Sequence, residues 1–434
     1  MTTKDRTYHI WTVGCQMNVA DSEQLGAEFD ALGYQAVEAP DAADVVVVNS
    51  CVVRQHAEDR VSNKLHALRA GKAANPDQVI ALMGCMVGPR TDDLRKRFPH
   101  VDVFMRPQAF DGLLDIVGQE PCAPAQVTAT GPTAYVNVIH GCDNFCTFCI
   151  VPYRRGRERS RSVAEIRAEV EALVAQGVRE VTLLGQKVDS YGKDLGDGSD
   201  LADLLADVHT VDGLDRIRFL TSYPLGVTDK LVETMARLPK VCEHVNIPVQ
   251  SGDDVVLAAM HRGYTVAQFR DRIARIRSAM PQASLSTDII TGFSGETEAH
   301  FQRTLDLLEE LRFDVVHVAA YSERPGTIAA RTLADDVPLN AKKERLHRVE
   351  QLQEGIAREL NAALAGRTEG VLVEAQRDGR WEGRTRTNKL VHFDVGQAPS
   401  PAPSSPDLTG AIVEVRITST SPWSLQAEYL RSCR

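Results

Sequence analysis

The sequence has no apolar run approaching the ~18 residues that a membrane span needs. Its densest apolar patch, Val45 to Val48, is only strand-sized. No apolar leader core and no cleavage pattern precede the strand-like Tyr8–Val13, so no secretion is expected and the expected location is the cytoplasm. Nine cysteines in 434 residues are too few for a disulfide scaffold. They are also clustered, which fits a reducing compartment and metal ligation. Positive charge is in deficit: 49 Lys and Arg stand against 59 Asp and Glu, a net charge of −10. That argues against a sequence-blind nucleic-acid binder and leaves RNA only a local basic surface. The glycine-bearing GFSGET of residues 292–297 lacks the lysine and spacing of a phosphate-binding loop. What remains, 43% hydrophobic and 25% charged, is ordinary globular composition. The length suggests about three domains of ~150 residues.

Residues 1–125 alternate strand and helix. Tyr8–Val13, Asp44–Asn49, Gln78–Met83 and Val101–Met105 read as strands. Between them, Asp21–Leu32 and Ala57–Ala70 read as helices, the first capped by Asp21 or Ser22. This order predicts a doubly wound parallel sheet. Cys15, Cys51 and Cys85 each fall just past a strand, at the carboxyl edge where open α/β sheets bind ligands. Gly14, Ser50 and Gly84 beside them leave room for a bulky group. Three such placements predict a shared metal centre. Cys122, Cys242 and Cys433 match no pattern and read as structural or incidental.

Residues 128–365 open with strand Ala134–Ile139 and then Cys142, Cys146 and Cys149, spaced C-x3-C-x2-C. A closed zinc site wants four ligands, as does a 4Fe–4S cube. Three cysteines on a cube leave one iron free. A zinc knuckle that borrows a fourth ligand is the alternative. Further strands are expected at Glu180–Leu184, Ile217–Thr221, His244–Val249, Leu285–Thr291 and Val315–Tyr321, with helices between. Six β/α units fall short of the eight of a closed barrel and predict an open, partial (β/α)6 barrel. Residues 153–161 hold five arginines, among them Arg154, Arg155 and Arg157, suited to RNA phosphates.

Residues 366–434 follow a long helix, Leu339–Leu364. They read as strands Gly370–Gln376, Gly383–Phe393 and Ala411–Thr418, with a tight hairpin at Gly379: a small β-barrel. Arg384, Arg386 and Lys389, with Trp381, His392 and Phe393, combine charge with stacking surface for RNA. The Pro/Ser-rich Gln397–Asp407 reads as an inserted flexible loop.

The cysteine loop resembles that of the radical S-adenosylmethionine (SAM) superfamily. The whole chain resembles its methylthiotransferases, closest to those acting on tRNA. The motifs are GCQMN (14–18), GCDNFCTFC (141–149), LLGQ (183–186), YSERPGT (321–327) and GRTRTNK (383–389). The resemblance implies a methylthiotransferase amino-terminal domain (1–125) with an auxiliary cluster, a radical-SAM domain (128–365) and an OB-like TRAM barrel (366–434). It implies two 4Fe–4S clusters, on Cys15/Cys51/Cys85 and Cys142/Cys146/Cys149, and SAM near Phe148, Gly185, Gln186, Gln250 and Asp288. The implied reaction methylthiolates C2 of N6-dimethylallyladenosine at tRNA position 37. The second trio's cluster cleaves SAM to the radical that takes the C2 hydrogen, the first supplies sulfur, and a second SAM methylates it. A flavodoxin-like reductant and a monomeric state are expected. Another tRNA adenosine or a ribosomal protein is the alternative substrate. A non-catalytic zinc-containing RNA-binding protein is the alternative of a different class. The chain departs from the family pattern at Arg154 (usually Thr), Lys187 and Asp189 (usually Asn) and Tyr223 (usually His).

Overall fold

The computed structural model describes residues 6–52, 55–118, 125–395 and 407–433. Cys122 and residues 397–406 of the expected flexible loop lie outside them. The amino-terminal unit is a five-stranded sheet in the order Gln35–Ala36, Thr7–Thr12, Val45–Ser50, Val79–Gly84, Val103–Met105, with every neighbour parallel. Successive strand side chains point to opposite faces, so the valine run serves two cores. Val45 and Val47 pack with Leu25 and Phe29 of helix Gln16–Ala31, and Val46 and Val48 with Val61 and Leu65 of helix Gln55–Ala74. This is the doubly wound arrangement expected.

The first helix corrects the expected boundary. It begins at Gln16, with Cys15 as its N-cap residue and no side-chain cap bond. Asp21 does not cap; it lies inside the helix, fully buried, because its carboxylate is bound by Arg155 and Gln108.

The central unit has two three-stranded sheets: Thr133–Asn137, Glu180–Leu184 and Arg216–Phe219, then His244–Asn246, Ser284–Thr291 and Val315–Ala320. A parallel bridge from Ile217 to Val241 and a bond from Ser222 N to Asn246 O (3.1 Å) join them in chain order. Among the described residues no pairing joins the first strand to the last, so the barrel is open. Helices such as Val163–Ala175, Val266–Ala279 and Glu298–Leu311 begin with reciprocal capping boxes at Ser162/Glu165, Thr265/Gln268 and Thr297/His300. Their apolar faces enter one core in which Phe269, Phe301 and Phe313 are fully buried, each contributing roughly 1.5–3 kcal/mol.

Helix Leu339–Ala362 leads to a closed five-stranded barrel. Asp378 (φ 50°) and Gly379 (φ 80°) make the expected hairpin turn. The expected strand over 383–393 is two strands, Arg380–Thr385 and Leu390–Asp394, reversing where Asn388 takes φ 63°. Leu425–Ser432, not anticipated, pairs with Leu390–Asp394 and Ile412–Thr420 and closes the barrel. Trp381 and Phe393 face its core, so they offer no stacking surface. The barrel is seated on the amino-terminal ends of the central strands. Arg216 donates to Arg384 O (2.7 Å) and Gly370 O (2.9 Å), and Arg218 to Arg386 O (2.6 Å), Thr385 O (2.7 Å) and Glu180 Oε1 (2.7 Å).

Candidate functional site

Cys15, Cys51 and Cys85 follow the adjacent strands Thr7–Thr12, Val45–Ser50 and Val79–Gly84, so a sheet edge brings the trio together. Cys85 lies within electrostatic reach of both others. A buried polar lattice sets that edge. Asn18 Nδ2 donates to Asn49 Oδ1 (2.9 Å) and Ser50 O (3.0 Å), and Asn49 Nδ2 returns a bond to Asn18 O (2.7 Å). Ser50 Oγ donates to Met83 O (2.6 Å) and accepts from Met86 N (3.2 Å). Gly84 adopts φ 102°, and a Cβ there would lie 2.4 Å from Ser50 O, so no other residue fits beside Cys85.

The second trio leaves strand Ile139–His140 through Gly141 (φ 74°), where a Cβ would lie 2.0 Å from Arg157 O. Cys149 lies within electrostatic reach of Cys146 and Cys142. Burial pushes the Cys142 and Cys85 thiols up to about 11 and Cys149 up to about 12. Such thiols stay protonated at neutral pH unless a metal displaces the proton. Cys146 Sγ accepts from Arg262 Nη1 at 3.4 Å. Arg262 is fixed by bonds to Pro248 O (2.9 Å) and Tyr264 Oη (3.0 Å) and lies over the Tyr223 ring at 4.6 Å. The sequence reading missed Arg262, because nothing local marks it.

The trios are gathered thiols, not closed coordination shells: among the described residues no group of three or more His, Cys, Asp and Glu stands so that it could hold a metal ion. The donor chemistry nevertheless fits iron–sulfur cubes. The candidate ligands are soft thiols, and the buried Nε–H groups of Arg154 and Arg155 beside Cys85 have no partner, a need that anionic, hydrogen-bond-accepting sulfur would meet.

The residues expected around SAM lie along the carboxyl edge. Gly185 directly follows the second strand, where a Cβ would lie 2.4 Å from Ile139 Cγ2, and half-buried Gln186 comes next. Gln250 takes φ 73° and is held to the fifth strand by its N to Asp288 O (2.8 Å) and by Ile290 N to its O (3.0 Å). Phe148 sits edge-on to Phe293, centroids 6.4 Å apart. The departures Lys187, Asp189 and Tyr223 are neighbours. Lys187 Nζ lies over the Tyr223 ring at 5.1 Å and donates to Asn144 Oδ1 (3.2 Å), and Asp189 Oδ1 accepts from Tyr223 N (2.6 Å).

The basic residues are placed differently from expectation. Arg155 is buried against Asp21 (2.7 Å), not exposed to RNA. Arg154 is half-buried, its backbone O accepting from Arg106 (3.0 and 3.1 Å). Arg386 pairs with Glu243 (2.7 Å) and donates to Pro239 O and Val241 O, and Lys389 pairs with Asp314 (2.6 Å). Both therefore fasten the small barrel to the central one. Arg384 is half-exposed near Glu374 (3.5 Å). Arg157 is 77% exposed beside Asp143. The exposed aromatic of the small barrel is Trp423. No helix among the described residues is long and apolar enough to cross a membrane.

A family model described as the Radical SAM superfamily matches residues 136–308, and one described as Uncharacterized protein family UPF0004 matches residues 7–106. The chain is 48% identical over 421 residues to the tRNA-2-methylthio-N(6)-dimethylallyladenosine synthase of Dehalococcoides mccartyi (strain CBDB1), covering 97% of this chain and 98% of that protein. It is also 48% identical over 436 residues to the like-named protein of Chloroflexus aurantiacus, covering 98% and 92%. Among solved structures it is similar to the radical S-adenosylmethionine methyltransferase TsrM from Kitasatospora setae. The TM-score is 0.57 at 13% identity, covering 75% of this chain and 77% of that one. That likeness concerns the fold alone.

Proposed function

This chain belongs to the radical-SAM methylthiotransferases, of the tRNA-2-methylthio-N(6)-dimethylallyladenosine synthase type, and from that premise we propose how its residues divide the work. The enzyme inserts a methylthio group into N6-dimethylallyladenosine of tRNA, using SAM and 4Fe–4S clusters. The nucleotide modified is position 37, next to the anticodon, and the atom is C2. The domains are 1–125, 128–365 and 366–434. A non-catalytic zinc protein is set aside on the strength of these relatives.

When bound, the clusters and SAM supply one-electron cleavage of SAM and the sulfur to be transferred. Cys142, Cys146 and Cys149 hold one cluster, and Cys15, Cys51 and Cys85 the other. Gly185, Gln186, Gln250 and Asp288 line the SAM site, with Phe148 beside the adenine. Arg262, fixed next to Cys146, suits a carboxylate, which a guanidinium binds in bidentate fashion. Desolvation around the thiols keeps water from the radical step. Arg157, Arg384 and Trp423 remain placed to meet RNA. A flavodoxin-like reductant, a monomeric state and the cytoplasm complete the reading.

The observation that carries the division of labour is the meeting of the two trios' surroundings. Ile150 and Tyr153, beside one trio, pack on Cys85 of the other, and Met17 and Ala20 pack on Leu184 at the barrel's carboxyl edge. The test is nucleoside analysis of tRNA from a strain lacking the gene. The 2-methylthio nucleoside should vanish and its dimethylallyl precursor accumulate. An unchanged tRNA profile would overturn the reading.

A further inference from the structure

Arg155 belongs to the central domain but spends its side chain in the amino-terminal one. It ends the short helix Val151–Arg155, which starts two residues after Cys149. Its side chain is 3% exposed, and its Nη2 lies 2.7 Å from Oδ2 of Asp21, which is fully buried. Gln108 Nε2 holds the other Asp21 oxygen at 3.2 Å. The same guanidinium lies within electrostatic reach of the Cys85 sulfur. The loop is pinned by Arg106, which donates to Arg154 O. Ile150 and Tyr153 seal Cys85 and Val52. The Nε–H of Arg155 is buried with no partner. A buried donor left unmet is destabilising, so the fold holds it there for a group that accepts.

Arginine stays charged at every relevant pH. Asp21 offsets the cost of burying that charge, while the buried Nε–H is left without a partner on the Cys85 side. Iron–sulfur potentials respond to net charge and to hydrogen bonds on the sulfurs. We propose that Arg155 is a positioning residue for the auxiliary cluster: supplied by the neighbouring domain, it donates to the sulfur of Cys85 and to cluster sulfur and favours the reduced state. Reduction adds one electron, taken in a titration from dithionite, and makes the cluster one unit more negative. A fixed cation beside it therefore raises the midpoint. The auxiliary site is complete only when the two domains are docked. This rests on the assignment of Cys15, Cys51 and Cys85 as cluster ligands.

The test uses the full chain carrying C142A, C146A and C149A, so that the auxiliary cluster alone gives a signal. The anaerobically reconstituted protein is titrated with dithionite and followed by electron paramagnetic resonance. Because R155M alone would strand a buried carboxylate, the comparison is D21N against D21N/R155M. At equal potential the cluster of the double variant should be at least tenfold more oxidised, a midpoint lower by 59 mV for a one-electron couple. D21N/R155K should fall between them, since it keeps the charge but not the fork. Coincident midpoints in a loaded protein would overturn the role of Arg155 and leave the ligand assignment standing. A parent protein that takes up no iron and sulfide would overturn that assignment, and this inference with it.

Discussion

Replacing Asp189 by Asn should stabilise the protein at neutral pH. Asp189 is buried at the carboxyl edge of the central barrel; its Oδ1 accepts from Tyr223 N at 2.6 Å and its Oδ2 has no partner. A Cβ on Gly226 would lie 1.6 Å from that Oδ2, so backbone closes over it. Burial is the largest influence and pushes the carboxyl from 3.8 up to about 6, against the opposing charge of Lys187. The folded chain thus holds a proton that the unfolded chain has released. Stability falls as pH rises through the window between these two values, and the cost is complete above about pH 6. About two units at 1.36 kcal/mol each give roughly 3 kcal/mol. Asparagine keeps the acceptor for Tyr223 N and carries no charge. D189N should therefore be more stable by up to about 3 kcal/mol at about pH 7.5, with the gap closing toward about pH 4. Urea unfolding of the anaerobic holoproteins across that range measures it. A gap that does not change with pH, or a wild type that is the more stable at about pH 7.5, would refute the reasoning.

C142A should abolish SAM cleavage, whereas C51A should stop sulfur insertion and leave SAM cleavage partly intact. Product analysis of the two reconstituted variants separates these outcomes, and identical behaviour would count against the division of labour. Arg218→Met should cost about 1–3 kcal/mol, because it removes the 2.7 Å partner of buried Glu180 and leaves it only Arg216, 3.9 Å away. Unfolding titrations and faster proteolysis near Gly366 would report it, and a neutral result would show that the pair contributes little. Burial holds the imidazole of His244 down at about 3, so the folded state keeps it neutral. Its contribution is then lost as pH falls below about 6.5, by roughly 2 kcal/mol at about pH 5. The stability difference between wild type and His244→Gln should narrow by that amount on acidification, and a constant difference would contradict it.

Much of the architecture was legible in residue order. Valine-rich strands alternating with helical periods specify a parallel sheet, because strand type and crossover follow from local pattern. The cysteine placements also survive translation into three dimensions, since a residue after a parallel strand must lie at the carboxyl edge. Boundaries were less legible. Helix Gln16–Ala31 starts earlier than its capping signal because Asp21 serves a distant arginine. The 383–393 segment hides a reversal at Asn388, a residue type that tolerates positive φ without announcing it.

The chain alone determined the two thiol trios, the open barrel and the small closed one, because each rests on spacing or period, which are local properties. Tertiary structure decided what the charges do. Arg155 meets Asp21 across 134 positions and Arg386 meets Glu243 across 143, so a run that resembles a solvated phosphate grip becomes mortar between domains. Arg262 next to Cys146 and the inward-facing Trp381 and Phe393 were decided there as well. The physical reason is common to all: a side chain's charge and size are written in its own letter, whereas its partner and its burial depend on segments that only folding brings near.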